Sequence, residues 1–155
     1  MPSKETRPVI VLMAEDDEDD LLLARDAFDE CDSDIDLHSV GDGQELMDYL
    51  KGRNGFAERS KHPLPGLILL DLNMPRKDGR EALAEMKADP LLRRIPVIVF
   101  TTSKAEEDVR ESYELGVSSF ISKPLTYDSL LRLVNTLSSY WCNAVRLPYP
   151  EPSRC

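Results

Sequence analysis

The chain has 155 residues, the length of one domain built around one hydrophobic core. Its formal net charge of −10 opposes binding to nucleic acid or to an anionic membrane surface, and no apolar run approaches the roughly 20 residues needed to span a bilayer. The first apolar run, Val9–Ala14, is too short for the core of a signal peptide, so we predict a cytoplasmic protein with neither a nucleic-acid nor a membrane partner.

The first part of the chain predicts two strand–helix pairs and a long loop. Residues 9–14 are typical of a buried strand, and six consecutive acidic residues follow them at 15–20. A helix is predicted to continue to about Glu30, and the apolar face of this helix contains Leu21, Leu23, Ala24, Ala27 and Phe28. A weaker strand at 35–40 precedes a helix at about 44–51. From Gly52 to Gly66 the composition predicts a mobile surface loop, unusually long for an α/β connection.

Residues 67–70 are four consecutive apolar residues that end abruptly at Asp71. This pattern predicts a strand buried on both faces of a parallel sheet, because Pro75 and Gly79 then turn the chain. Asp71 is therefore expected at the carboxyl end of a central strand, where ligands bind in open α/β sheets. A third helix is predicted at about 81–88.

The second part of the chain predicts two further strand–helix pairs. A strand at 96–100 is followed by a possible capping box of Ser103 with Glu106, which predicts a helix that starts there and stops at Gly116. A short strand at 119–122 precedes a helix for which Asp128 is the expected cap. The residues that this last helix is predicted to turn inward are Leu130, Leu133, Leu137 and Trp141.

Five strands that alternate with five helices predict a parallel sheet covered on both faces. We expect a flavodoxin-like, doubly wound (βα)5 fold with strand order 2-1-3-4-5, since right-handed crossovers leave few other topologies. The predicted organisation is a flexible N-terminus at 1–8, one domain at 9–142, and an extended, proline-containing C-terminal tail at 143–155.

This topology brings several polar side chains to the same edge of the sheet. The residues expected at the strand ends are Glu15, Asp16, Asp71, Thr101 and Lys123. Carboxylates suit a hard divalent cation such as Mg²⁺, which also binds phosphate oxygens. A carboxylate can attack phosphorus to give an aspartyl phosphate, and a cation with fixed donors lowers the barrier of that transfer.

With these residues in place, the chain resembles a response-regulator receiver domain over nearly its whole length. The matching features occur in family order and at family spacing. They are the acidic pair Glu15 and Asp16, the signature Asp71, Met74, Pro75, Asp78 and Gly79, the hydroxyl of Thr101, the aromatic Phe120, and Lys123 with Pro124.

The resemblance implies the chemistry of the site. Asp71 would accept a phosphoryl group from a phosphohistidine of a partner kinase. Mg²⁺ or Mn²⁺ would be bound by Asp16, Asp71 and the backbone carbonyl of Asn73, with Glu15 acting through water. No organic cofactor is implied, and the protein would be a binding switch rather than an enzyme.

The resemblance also implies how the switch works. Lys123 would contact the phosphoryl group, Thr101 would move to form a hydrogen bond with it, and Phe120 would turn inward into the vacated space. The face built from helix 4, strand 5 and helix 5 would then change shape for a partner. The peptide bond between Lys123 and Pro124 would be cis.

A narrower similarity links the chain to single-domain regulators paired with phytochrome histidine kinases. It rests on the long loop, the run at 70–81, Thr101-Thr102-Ser103, Tyr140-Trp141 and Leu147-Pro148. It implies a red-light sensor upstream and a homodimer formed through helix 4, strand 5, helix 5 and the tail. Ser122 and Leu125 depart from the pattern, since many receivers are more apolar beside the Lys-Pro pair.

Several alternatives stay open at this level. A haloacid-dehalogenase-like Mg²⁺ phosphohydrolase also uses an aspartate nucleophile, but its motif needs an acid where Asn73 stands and a cap domain for which 155 residues leave no room. A receiver that acts only as an unphosphorylated scaffold is another. Asp19 and Asp20 are explained by the positive start of the first helix, and Asp78 by a turn. Tyr140 and Trp141 fit either core packing or a dimer interface.

Overall fold

The computed structural model describes residues 8–31 and 34–148. Five parallel strands form one sheet in the order β2-β1-β3-β4-β5, as predicted. The strands are β1 (Val9–Ala14), β2 (Ile35–Val40), β3 (Leu67–Leu70), β4 (Val97–Thr101) and β5 (Ser119–Ser122). The helices are α1 (Glu18–Glu30), α2 (Gly43–Lys51), α3 (Gly79–Lys87), α4 (Glu106–Glu114) and α5 (Tyr127–Ser138).

Helices cover both faces of the sheet, so the central strands are apolar on both sides. On one face α2 and α3 enclose a core with β1, β3 and β4; its fully buried members include Leu12, Leu46, Leu70, Leu83, Met86 and Val99. On the other face α1 and α5 pack together; the core there includes Val11, Met13, Ala27, Phe28, Leu69 and Val134. This is the flavodoxin-like, doubly wound arrangement.

The start of α4 differs from the prediction. The predicted capping box of Ser103 with Glu106 is wrong, because α4 begins at Glu106 after Ala105 and no side chain caps it. The Ser103 hydroxyl instead donates a hydrogen bond of 2.6 Å to a carboxylate oxygen of Asp108. A charged acceptor makes the stronger hydrogen bond, so the side chain serves a tertiary contact rather than the helix end.

Three further details of the structure correct the predictions. The residue that caps α5 is Thr126, whose hydroxyl oxygen accepts from the N–H of Ser129, while Asp128 lies within the first turn. Leu23 was placed on the buried face of α1 but is 44% exposed. The Lys123–Pro124 peptide bond is trans.

The segment at 52–66, predicted to be a mobile surface loop, is bound to the end of α2 by side-chain contacts. The guanidinium of Arg59 donates hydrogen bonds of 2.8–3.1 Å to the carbonyls of Tyr49, Leu50 and His62, two of which belong to the last turn of α2. The ring of Phe56 packs against Tyr49 at a centroid distance of 5.2 Å. One side chain therefore ties the segment to the carbonyls at the end of α2, where a helix has few intrahelical donors left.

The chain remains helical slightly beyond the predicted domain boundary. A π-helical turn, Ser139–Ala144, continues α5, so residues 143 and 144 are not part of an extended tail. Leu147 packs against the core on the α1 and α5 face. Residues 1–7 of the predicted N-terminal segment and residues 149–155 of the predicted tail lie outside the described residues. Within 8–31 and 34–148, no helix combines the length and the apolar character needed to cross a membrane.

We expect Arg59→Ala to lower the free energy of unfolding by about 1–2 kcal/mol, because it removes three partly buried hydrogen bonds to backbone carbonyls. Lys61→Ala is the matched control, since Lys61 is exposed and its ion pair with Glu58 spans 3.8 Å. Urea unfolding of the two variants measures the difference. Equal stabilities would show that the loop is not anchored by Arg59.

Candidate functional site

The carboxyl ends of β1 and β3 place Glu15 and Asp71 side by side. The two strands pair in parallel with Ala14 opposite Leu70, and the N–H of Asp71 donates to the carbonyl of Ala14 at 3.1 Å. Each acid is the first residue after its strand. Both side chains therefore leave the sheet at the same level, as predicted.

Three carboxylates gather at this edge. One oxygen each from Glu15, Asp16 and Asp71 lies within 4.8 Å of the others. Glu15 and Asp71 are only 3% and 6% exposed, whereas Asp16 is open to solvent. Two carboxylates about 4 Å apart repel by roughly 4 kcal/mol at an effective dielectric of 20. A hard divalent cation fits this all-oxygen set of donors and would relieve the repulsion.

The ammonium group of Lys123 is the positive centre of the site. Its Nζ atom lies 2.6 Å from Glu15 Oε1, 2.8 Å from Asp20 Oδ2 and 3.5 Å from Asp71 Oδ2. Lys123 directly follows β5, and its N–H donates to the carbonyl of Thr101 at 2.8 Å. An ammonium group has three N–H donors and no acceptor, so it can give one hydrogen bond to each of three carboxylates and no more.

Burial and charge act in opposite directions on these groups. Burial raises the pKa of Glu15 to about 7, and the negative charge of Asp71 adds to the rise, against hydrogen bonds from Lys123 and from the N–H of Asp17. Burial alone would lower the pKa of Lys123, but the hydrogen bonds to Asp20 and Glu15 and the charge of Asp71 raise it above its ordinary value. Lys123 is therefore charged at neutral pH.

Asp20 is a site residue that the sequence analysis missed. It was assigned to the positive start of α1, yet its carboxylate binds the ammonium of Lys123. A signal was present in the helical periodicity. Asp20 lies four and eight residues before Ala24 and Phe28, which are buried, so it shares their face of α1. Asp19 is on another face and is exposed.

The connection after β3 is shaped by its close approach to α3. A Cβ atom on Gly79 would lie 2.3 Å from the carbonyl oxygen of Asp71, so only glycine fits there. Asp78 caps α3 in a capping box with Glu81, which confirms a local structural role for Asp78. The N–H of Asn73 donates to Asp71 Oδ1 at 3.3 Å. The signature thus fixes the backbone around Asp71.

Thr101 lies at the end of β4, on the side of the site opposite β1. It is fully buried, and its hydroxyl oxygen accepts from the N–H of Ser103 at 3.4 Å. The Ser103 hydroxyl binds Asp108, and Arg80 of α3 donates to the other oxygen of Asp108 at 2.7 Å. These two hydrogen bonds lower the pKa of Asp108. Sequence analysis missed this network because it joins three separate elements.

Phe120 lies on β5, farther from the carboxylates. Its side chain is half-buried against the core on the α2 and α3 face, and its N–H donates to the phenol oxygen of Tyr113 at 3.2 Å. Glu15, Asp16, Asp71 and Lys123 therefore meet in one cluster. Thr101 borders that cluster through its carbonyl, which accepts from the N–H of Lys123, and Phe120 lies on β5, an edge strand of the sheet.

Comparisons with known proteins agree with this geometry. A family model, the response regulator receiver domain, matches residues 11–135. Response regulator Rcp1 of Synechocystis is 40% identical over 148 residues, which cover 96% of this chain and 99% of Rcp1.

Solved structures give the same result. The phosphorylated cyanobacterial phytochrome response regulator RcpA is 38% identical with a TM-score of 0.84, covering 92% of this chain and 99% of RcpA. The Mn²⁺-bound form of Rcp1 is 40% identical with a TM-score of 0.82, covering 92% and 100% of the respective chains. A response regulator in red light signaling of R. palustris is 35% identical with a TM-score of 0.85, covering 91% and 99%.

The raised pKa of Glu15 predicts how stability depends on pH without divalent ions. The folded value of about 7 lies above the ordinary 4.5, so the folded state holds this proton more tightly. The stabilisation is complete below about pH 4.5 and is lost as pH rises through 7. We expect the free energy of unfolding to fall on the order of 2 kcal/mol between pH 5 and pH 8.

Urea unfolding of the metal-free protein at several pH values tests this expectation. Glu15→Gln should remove the fall, while Glu18→Gln, a change at an exposed acid of α1, should keep it. Parallel pH profiles for wild type and Glu15→Gln would contradict the assignment to Glu15.

Proposed function

The chain belongs to the response regulator receiver domain family, and we propose that it accepts a phosphoryl group on Asp71 from a phosphohistidine of a sensor histidine kinase. Phosphorylation then switches its contacts with other proteins. The observation that carries this proposal is the placement of a buried carboxylate, Asp71, beside both an acidic pair and the ammonium of Lys123. The chemistry makes the protein a switch rather than an enzyme with turnover.

Transfer of the phosphoryl group from histidine to Asp71 exchanges one bond to phosphorus for another. An oxygen of Asp71 forms a bond to phosphorus as the bond between phosphorus and the histidine nitrogen breaks, and that nitrogen keeps the electron pair. Negative charge stays on the phosphoryl oxygens, where the donors of Lys123 and the hydroxyl of Thr101 would stabilise it. Asp71 is suited to this role because its own contacts, at 3.3 and 3.5 Å, are long.

The metal would be Mg²⁺ or Mn²⁺, held by Asp16, Asp71 and the backbone carbonyl of Asn73, with Glu15 acting through water. When bound, it supplies positive charge that offsets the acids and the incoming phosphoryl group. Both oxygens of Glu15 already accept hydrogen bonds, from Lys123 and from the N–H of Asp17. That arrangement favours an indirect role for Glu15 and leaves direct coordination to Asp16 and Asp71.

The switch would act through Thr101 and Phe120. Movement of Thr101 toward the phosphoryl group would displace the connection to α4, and Phe120 would turn inward. Ser103 couples these parts, since its hydroxyl binds Asp108 of α4 and its carbonyl accepts from the hydroxyl of Ser122 on β5. The surface of α4, β5 and α5 would change as a result.

The upstream partner would be a phytochrome-type kinase in the cytoplasm. The support is the similarity to regulators described as phytochrome or red-light response regulators, over nearly their full length.

We also propose a homodimer through α4, β5, α5 and the C-terminal tail. Large exposed side chains on this side include Tyr113 and Tyr140, which are 49% and 53% exposed.

Phosphotransfer from candidate kinases, phytochrome-linked ones first, tests the main proposal. Wild type should take up about one labelled phosphoryl group per chain, and Asp71→Ala should take up none. Asp78→Asn is the matched control within the same signature and should still be labelled, since Asp78 caps α3. Removal of Mg²⁺, or Asp16→Asn, should slow labelling at least tenfold. Turnover of free phosphate esters without stoichiometric labelling would favour a phosphohydrolase instead.

Light scattering tests the dimer. We expect a mass of about twice 17.5 kDa, and a shift toward one chain's mass in Tyr140→Glu. Leu91→Glu is the control, because Leu91 is 65% exposed but lies after α3, away from the proposed interface. A single-chain mass at every concentration, with and without phosphorylation, would remove this part of the proposal.

A further inference from the structure

We propose that Asp20 is a positioning residue for Lys123: it holds the ammonium so that one N–H faces the oxygen of Asp71 on which phosphorus arrives. This inference rests on the proposed phosphorylation of Asp71. It gives a function to an acid that sequence analysis assigned only to the start of a helix.

The distances show which contacts fix the ammonium. Nζ is 2.6 Å from Glu15 and 2.8 Å from Asp20, but 3.5 Å from Asp71. The two short, charge-assisted hydrogen bonds therefore define the position of Nζ. The third hydrogen is left for the long contact with Asp71. A phosphoryl group on Asp71 would meet a donor that is already in place.

A second observation is the space beside the Lys123 side chain. A cavity of about 50 Å³ adjoins its side chain and is lined by Asp20, Leu23, Phe100, Lys123, Pro124 and Leu130. This volume is large enough for a water molecule, and thus for a displaced ammonium group. Lysine has a flexible four-carbon stem, so an ammonium without Asp20 would have room to leave the position that faces Asp71.

The start of α1 presents Asp20 rather than its neighbours to Lys123. Asp17 caps the helix by accepting hydrogen bonds from the N–H groups of Asp19 and Asp20, at 2.9 and 3.1 Å, which fixes the first turn. Asp20 then shares the face of Ala24, which is buried, while Asp19 is exposed. The side chains of these two adjacent aspartates thus point in different directions, and only that of Asp20 reaches Lys123. Asp19 is therefore a matched control.

Positioning makes a specific kinetic prediction. With acetyl phosphate as donor, the bond from Asp71 to phosphorus forms as the bond from phosphorus to the acetate oxygen breaks, and acetate leaves with the electron pair. Charge on the phosphoryl oxygens grows next to Lys123 during this step. Loss of a fixed donor lowers the rate of transfer without removing a metal ligand.

The experiment compares Asp20→Ala with Asp19→Ala, two variants with the same change in charge. At saturating Mg²⁺, we expect Asp20→Ala to incorporate labelled phosphate from acetyl phosphate at least tenfold more slowly than wild type, and Asp19→Ala within twofold of it. Asp20→Glu should recover part of the rate. The Mg²⁺ dissociation constant of Asp20→Ala should stay within about twofold of that of Asp19→Ala.

A readout in the metal-free protein is independent of phosphorylation. The ammonium hydrogens of Lys123 should give a protected Nζ resonance in nuclear magnetic resonance spectra of wild type and Asp19→Ala. That resonance should be lost in Asp20→Ala. Urea unfolding confirms that each variant is folded before either readout is interpreted.

Two outcomes would overturn the inference. One is equal labelling rates for the two alanine variants, and the other is a protected Lys123 resonance that survives in Asp20→Ala. Either result removes the role of Asp20 and leaves phosphorylation of Asp71 intact if wild type is labelled. If wild type itself is not labelled by acetyl phosphate or by any kinase, the proposed function fails instead.

Discussion

The contact of one buried ammonium group with several carboxylates governs this structure. Burial of the Glu15 and Asp71 carboxylates would be very costly without a counter-charge. Lys123, which follows the edge strand β5, supplies that charge. This contact joins the end of β5 to the ends of β1 and β3, with β4 between β3 and β5. Four acids against one lysine still leave the cluster strongly negative, so a divalent cation fits the site for electrostatic reasons before any chemistry is considered.

A series of hydrogen bonds connects the end of β4, next to this cluster, with α4 and α3. Thr101 accepts from the N–H of Ser103, whose hydroxyl binds Asp108 on α4, and Arg80 holds Asp108 from α3. Ser103 therefore contacts both Thr101 and α4, and the proposed displacement of Thr101 would act on α4 through it. Both oxygens of Asp108 are engaged, one by Ser103 and the other by Arg80, and such charge-assisted hydrogen bonds are the stronger kind.

The sequence was sufficient to predict the strands and the residues at their ends, since short apolar runs that stop at a polar residue depend on local pattern alone. It was insufficient where a side chain binds a distant element. Ser103 and Glu106 satisfy the spacing of a capping box, but the Ser103 hydroxyl binds the charged Asp108 instead. The composition of 52–66 indicated mobility, yet Arg59 binds three carbonyls that no local pattern reveals. Helical periodicity placed Asp20 on the buried face of α1, but its contact with Lys123 also depends on how α1 packs beside the end of β5, which no local pattern reveals.

The acids of the site differ in what their oxygens already bind, and this difference supports the separate roles proposed for them. Glu15 is the most buried, and its two oxygens are engaged by Lys123 and by the N–H of Asp17. Its longer side chain thereby joins the start of α1 to the end of β5 and has little capacity left for a metal. Asp16 is exposed, and Asp71 has only long contacts. In the proposed function, an incoming cation or phosphorus atom would therefore meet the least engaged oxygens at Asp16 and Asp71, while Glu15 and Asp20 would keep the lysine in place.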